Sequence, residues 1–270
     1  MRVDRFLPFL VLPALVSSVG AQVYSTPRPV VRTTSLPALR AIALRREVHE
    51  RFAIGLAEES KADWSEAAGE FEAILALRPA EPQGSTARYD LAIAYANLRR
   101  FDDAASELRS ALAADPGFLA AMANLIAVDL ARGDLREARA IADRFVAAAP
   151  DSARALYSRG IVALRSGDLK TARADFGTLL HFNPSYALAY YDLGIAEVRL
   201  GRLADAQRDL TAALTLAPAY ARARFALAVV LLKEGDRAGA RAAFERAATD
   251  AGGDLALRNL ALAMSDAIRP

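Results

Sequence analysis

The sequence has no cysteine and only two histidines, His49 and His181. Without thiols there is no disulfide, no thiolate nucleophile, no sulfur-ligated metal and no lipid-modified cysteine. The histidines lie far apart, with no His-Glu-x-x-His spacing, so no histidine-based metal centre is expected. The 15 glycines, scattered singly apart from Gly252-Gly253, form no phosphate-cradling loop, and no nucleophile elbow occurs. Charge of one sign is also missing. Lys and Arg number 34 against 32 Asp and Glu, a net charge of +2. A duplex-binding protein concentrates basic residues to displace counterions, and these totals hold no such concentration, so no nucleic-acid partner is expected. Acidic pairs such as Glu58-Glu59 and Asp102-Asp103 fall at helix ends or on surfaces, where solvated charge is the expectation. None of the geometric roles an active site requires can be assigned. The expectation is a non-enzyme with no catalytic residue, no cofactor and no metal.

What is present begins with a leader. Residues 1–21 carry Arg2 and Arg5, an apolar run from Phe6 to about Val16, and small residues ending at Val19-Gly20-Ala21. This is the three-part layout of a secretory signal peptide. The apolar run is short of the roughly 20 residues that span a bilayer, and Pro8 and Pro13 interrupt it. No stable membrane span is expected after cleavage. An uncleaved anchor is the alternative. Residues 22–36, with Pro27, Pro29 and several Ser and Thr, read as a flexible linker.

Beyond the linker the chain repeats itself. "GDLKTARADFGTLLHFNPSYA", from Gly167, aligns with "GRLADAQRDLTAALTLAPAYA", from Gly201. Pro116, Pro150, Pro184 and Pro218 are 34 residues apart, and Pro79 precedes them by 37, consistent with a short insertion near Pro82. Eight residues before the prolines stand Phe71, Leu108, Ala142, Phe176 and Leu210, and four earlier always an alanine: Ala67, Ala104, Ala138, Ala172, Ala206. A sixth copy keeps Ala240 and Phe244 but has Gly252 in place of proline. A turn precedes each alanine, glycine-led from Gly133 onward. Glycine there permits the left-handed backbone that ends a helix, and proline stops the next one. Apolar residues between recur at helical spacing. Each unit is a helix–turn–helix hairpin that buries its faces only against its neighbours.

The pattern resembles tetratricopeptide repeats. Its Leu-Gly pair appears as Ile54-Gly55, Leu91-Ala92, Arg159-Gly160, Leu193-Gly194 and Leu227-Ala228, while the third copy, around Leu125-Ile126, diverges most. No copy has the family's tryptophan, and Trp64 sits at a turn. The resemblance implies an all-α fold: a right-handed superhelical solenoid of about six helix hairpins. The copies run near 48–81, 85–118, 119–152, 153–186, 187–220 and 221–252, within an array over 37–252. Residues 253–270 read as a capping helix, started by Asp254, with Leu257, Leu260, Ala261, Met264 and Ile268 on one face.

The resemblance also implies that the first helix of each hairpin lines a concave groove, through the second, fifth, ninth, twelfth and thirteenth positions of each copy. The fifth is aromatic at Phe52, Tyr89, Tyr157, Tyr191 and Phe225, with Ala123 the exception. The ninth is aliphatic, as at Ile161 and Ile195. The thirteenth turns basic at Arg165, Arg199 and Lys233, and Arg154 and Arg222 join from the second. Such a groove suits a peptide with apolar anchors and some acidic character, although aromatics at regular spacing also serve as core. Phe52 and Leu56 stand where the family's carboxylate-clamp members have Lys and Asn, so this chain does not resemble that subclass. The expected work is protein–protein interaction: a scaffold or adaptor in a bacterial envelope, periplasmic or secreted, binding a peptide or partner segment in its groove. Two alternatives stand beside it, a structural subunit binding through the convex face or ends, and an enzyme-associated regulatory subunit.

Overall fold

The computed structural model describes residues 35–268. The leader, and the linker up to residue 34, lie outside the described residues. The chain divides into two units at the Ala41–Ile42 junction, the first described only from Ser35 on and the second carrying the repeats. Thirteen α-helices and no strands occur among the described residues. They pair in chain order: α1 (Leu36–Ser60) with α2 (Trp64–Ala76), α3 (Gln83–Asn97) with α4 (Phe101–Ala114), and α5 (Leu119–Arg132) with α6 (Leu135–Ala148). The rest are α7 (Ala153–Ser166) with α8 (Leu169–Phe182), α9 (Ala187–Arg199) with α10 (Leu203–Leu216), and α11 (Ala221–Glu234) with α12 (Arg237–Asp250), followed by α13 (Leu255–Ala267). The repeats form an all-α solenoid. Leu36, the last residue assigned to the linker, is already helical.

Each hairpin turn has one demanding position. Ala62, Arg99, Gly133, Gly167, Gly201 and Gly235 all have φ between 59° and 90°. Glycine meets this at little cost, and the two non-glycine copies hold an unfavourable backbone. The next residue caps the second helix. Asp63, Asp168 and Asp236 each accept a hydrogen bond from the N–H three residues on, at 3.3, 3.2 and 2.8 Å. That satisfies one of the donors a helix N-terminus leaves open.

Packing inside a hairpin is a large residue against a small one. Phe71, Phe176 and Phe244 are wholly buried, as is the alanine four positions before each. Opposite Phe71, Phe176 and Leu210 the first helix carries glycine: a Cβ at Gly55 would stand 2.8 Å from Phe71, one at Gly160 2.6 Å from Phe176 and one at Gly194 2.7 Å from Leu210, while Phe244 packs with Ala228. The rings and the bare backbone therefore interlock.

The array curves with a definite inside. Among the described residues α3 packs on α5, α5 on α7, α7 on α9 and α9 on α11, while no pair of even-numbered helices packs comparably. The odd helices thus pack on one another along one side, which is the inner face of the array, and the even helices do not. At the far end Asp254 caps α13 through the Leu257 N–H at 3.1 Å. Ala261 of α13 and Ile268, its C-cap, are buried with Met264 beside them, but Leu260, expected on that face, is 43% exposed. Ser265 takes a buried place there instead, its hydroxyl bonded to Glu245 at 3.2 Å.

Candidate functional site: the inner face of the odd helices

The residues placed in the groove by resemblance divide by burial. Phe52, Tyr157, Tyr191 and Phe225 are half-buried, and so are Ile161 and Ile195. Tyr89 is 7% exposed and stacks on Phe118 with ring centroids 4.9 Å apart, so its ring is core. Three of these rings meet a buried ring on the second helix of their own hairpin: Phe52 meets Phe71 at 6.1 Å, Tyr157 meets Phe176 at 5.9 Å and Phe225 meets Phe244 at 5.1 Å between centroids. Tyr157 and Tyr191 also meet Tyr186 and Tyr220, from the turns leading into α9 and α11, at 5.5 and 5.1 Å. The rings serve as packing behind and as surface in front.

The basic positions are equally mixed. Arg165, Arg199 and Lys233 are exposed. Arg199 is tied down, donating to the Leu164 carbonyl across the repeat boundary at 2.6 Å. Arg154 donates to Asn124 at 3.1 Å, and Arg222 to Asp254 at 3.4 Å. Arg165 and Lys233 make no hydrogen bond or ion pair and are the two basic side chains of this stripe left spare.

The sixth position of each copy carries the chemistry that the sequence reading passed over. In the second to fifth copies it reads Asp90, Asn124, Ser158 and Asp192, a polar stripe beside the aromatic one, with Ala53 and Ala226 in the first and last. Asp192 is 7% exposed, and the Tyr157 hydroxyl donates to its Oδ2 at 2.8 Å from one repeat to the next. Burial pushes the Asp192 carboxyl up to about 7, partly offset by the Tyr157 bond and the charge of Arg165. Burial likewise raises the Tyr157 phenol, and Asp192 adds to the rise. Asp90 is 8% exposed and makes no hydrogen bond or ion pair. Burial, with the like charge of Glu59 adding to it, pushes its carboxyl up to about 8. Glu59, expected as a solvated surface acid, is half-buried, and its Oε1 is sealed from solvent without a partner. Burial raises it to about 7.

With this geometry in place, comparison with known proteins decides the family. Tetratricopeptide repeat profiles match residues 52–117 and 191–256, residues 98–159, and residues 153–174. The chain belongs to the tetratricopeptide repeat family. As a family these proteins are protein–protein interaction scaffolds. No curated relative matches this tetratricopeptide chain. Among solved structures it is similar to a tetratricopeptide repeat protein of Parabacteroides merdae, at 16% identity and a TM-score of 0.68 over 83% of this chain and 94% of that one. MamA of Desulfovibrio magneticus is similar at 21% identity and a TM-score of 0.59, over 64% of this chain and 97% of that one. A chain of the Cut9–Hcn1 hetero-tetramer of the APC/C is similar at 20% identity and a TM-score of 0.65, over 80% of this chain and 42% of that one. These likenesses show the fold.

Between α8, α9 and α10 a cleft of about 530 Å³ is lined by Arg173, Gly177, His181, Phe182, Glu197 and Asp209. Glu197 and Asp209 each keep one solvent-sealed oxygen without a partner, while Arg173 holds the other Glu197 oxygen at 3.2 Å and Arg208 the other Asp209 oxygen at 3.3 Å. Burial raises the Glu197 carboxyl, and the neighbouring Asp209 carboxylate adds to this. No helix among the described residues is long and apolar enough to cross a membrane. No group of three or more His, Asp or Glu there is placed to hold a metal ion.

Proposed function

We propose that this tetratricopeptide chain is a non-catalytic scaffold of the cell envelope that binds an extended segment of a partner protein along the inner face of its odd helices. The observation that carries the reading is the inner face itself. Half-buried rings at Phe52, Tyr157, Tyr191 and Phe225 stand beside spare cations at Arg165 and Lys233. Tyr and Arg are the residues most often found at interface hot spots, and a rigid array lowers the ordering cost of binding. The leader of residues 1–21 supports export to the periplasm or beyond.

The test uses Arg165→Glu with Lys233→Glu, which touches no structural bond. The wild-type chain and this variant, matched for helicity by circular dichroism, are immobilised and exposed to an envelope extract of the source cells. Capture that the variant reduces at least tenfold supports the groove. Equal capture by both moves the interface to the convex face or ends, where Phe182, Leu255 and Leu260 are 61%, 62% and 43% exposed.

A further inference from the structure

The last helix is covered on one side only. Among the described residues every odd helix from α3 to α11 packs on two even helices, the one before it and the one after it, while α13 packs substantially on α12 alone. Its outer side stays open. Leu255 and Leu262, two helical turns apart and so on one stripe, are 62% and 45% exposed. Ala256, Ala263 and Ala267 are exposed beside them. A terminal helix that only shields the end of a solenoid turns a polar face outward. The outer face of α13 instead sets leucines among alanines.

That face is not shaped for the second helix of an ordinary hairpin. Leu262 holds, one, two and three repeat lengths on, the register position of Ala228, Gly194 and Gly160. Gly194 and Gly160 leave room there for Leu210 and Phe176. A leucine fills that hole. What fits is a helix with leucine knobs and alanine gaps of its own, and α13 is such a helix. Charge agrees with this. Arg258 and Asp266 are both exposed and lie equally far before and after Leu262. An antiparallel copy of α13 centred on Leu262 therefore brings each Arg258 to the partner's Asp266. We propose that α13 is a self-association surface, on which two copies of the chain pair about a two-fold axis at Leu262. A two-fold axis requires one surface complementary to itself, and α13 meets that requirement in both shape and charge. A single helix about 20 Å long on each side makes a small interface, so the dimer forms and dissociates with concentration. None of the residues assigned to the groove lies on α13, and the pairing does not depend on that reading.

The experiment is sedimentation equilibrium of the full chain from about 1 to about 200 µM. The wild type is expected to pass from monomer to twice the monomer mass and no further. Leu255→Lys with Leu262→Lys places charge at exposed positions, and is expected to weaken the dimer at least tenfold while circular dichroism and the urea midpoint match the wild type. Arg258→Asp is expected to weaken it several-fold, and Arg258→Asp with Asp266→Arg to restore it. The chain has no cysteine, so Leu262→Cys supplies a single thiol. A short bismaleimide is expected to cross-link the dimer through it. A monomer at every concentration, or a dimer of undiminished strength in the double lysine variant, overturns the proposal. A dimer that Leu262→Cys does not cross-link removes the two-fold pairing on α13. Growth beyond the dimer replaces it with head-to-tail stacking of one array on the next.

Discussion

At the residue scale, the turn and the glycine–ring contact make opposite predictions for similar changes. Ala62 holds φ 59° where four other copies place glycine. Ala62→Gly is expected to stabilise by about 1 kcal/mol, the cost of a left-handed alanine offset by glycine's greater freedom when unfolded. Gly160→Ala acts the other way. Its new methyl would lie 2.6 Å from the Phe176 ring, which is wholly buried and has nowhere to go. Overpacking of that kind costs about 1–3 kcal/mol. Gly177→Ala is the control, since a Cβ there meets nothing within 4 Å. Urea unfolding of the three variants tests the set. A destabilised Ala62→Gly, or a Gly160→Ala as stable as Gly177→Ala, contradicts this account of the hairpin.

At the scale of the element, the Tyr157–Asp192 bond joins α7 to α9 and makes their packing depend on pH. In the folded chain Asp192 holds its proton up to about pH 7, whereas an unfolded aspartate loses it near pH 4. Between those values the folded state binds more protons. The stability from this group is therefore fully present below about pH 4 and is lost as pH rises toward 7. Asp192→Asn is expected to flatten that decline and to stabilise the chain at pH 8 by about 1–3 kcal/mol. Tyr157→Phe is expected to cost more at pH 8 than at pH 5, since a hydrogen bond to a charged acceptor is worth about twice a neutral one. Identical pH profiles for wild type and Asp192→Asn in urea titrations would sink this. The same residues show what the sequence makes legible. Hairpins, turns, caps and the buried Ala–Phe register all follow from spacing, because periodicity reports burial in helices. The polar stripe does not, because Asp90 and Asp192 lie three copies apart with Asn124 and Ser158 between them, which reads as ordinary surface variation. Only burial without a partner distinguishes Asp90 and Glu59 from solvated acids, and burial depends on the neighbouring repeat. The nearest sequence signal was the aspartate directly after the tyrosine in two copies.

At the scale of the molecule, each helix packs chiefly on its sequence neighbours, so the array unfolds from whichever end is uncovered. Removing residues 252–270 uncovers Phe244, Ala247 and Ala248 of α12. Hydrogen exchange is expected to quicken in α11 and α12 while α3 to α8 keep their protection. A uniform loss along the chain would mean a single cooperative unit and would refute nearest-neighbour coupling. The contact between odd helices also has an elastic side. Curling the array tighter drives together helices that already touch, whereas straightening it parts only light contacts. Such a spring is stiff to compression and soft to extension. On the proposed groove reading, a bulky strand is accommodated by opening and a slender one is not clamped, so grip is expected from side chains that fill the channel and not from closure around the ligand.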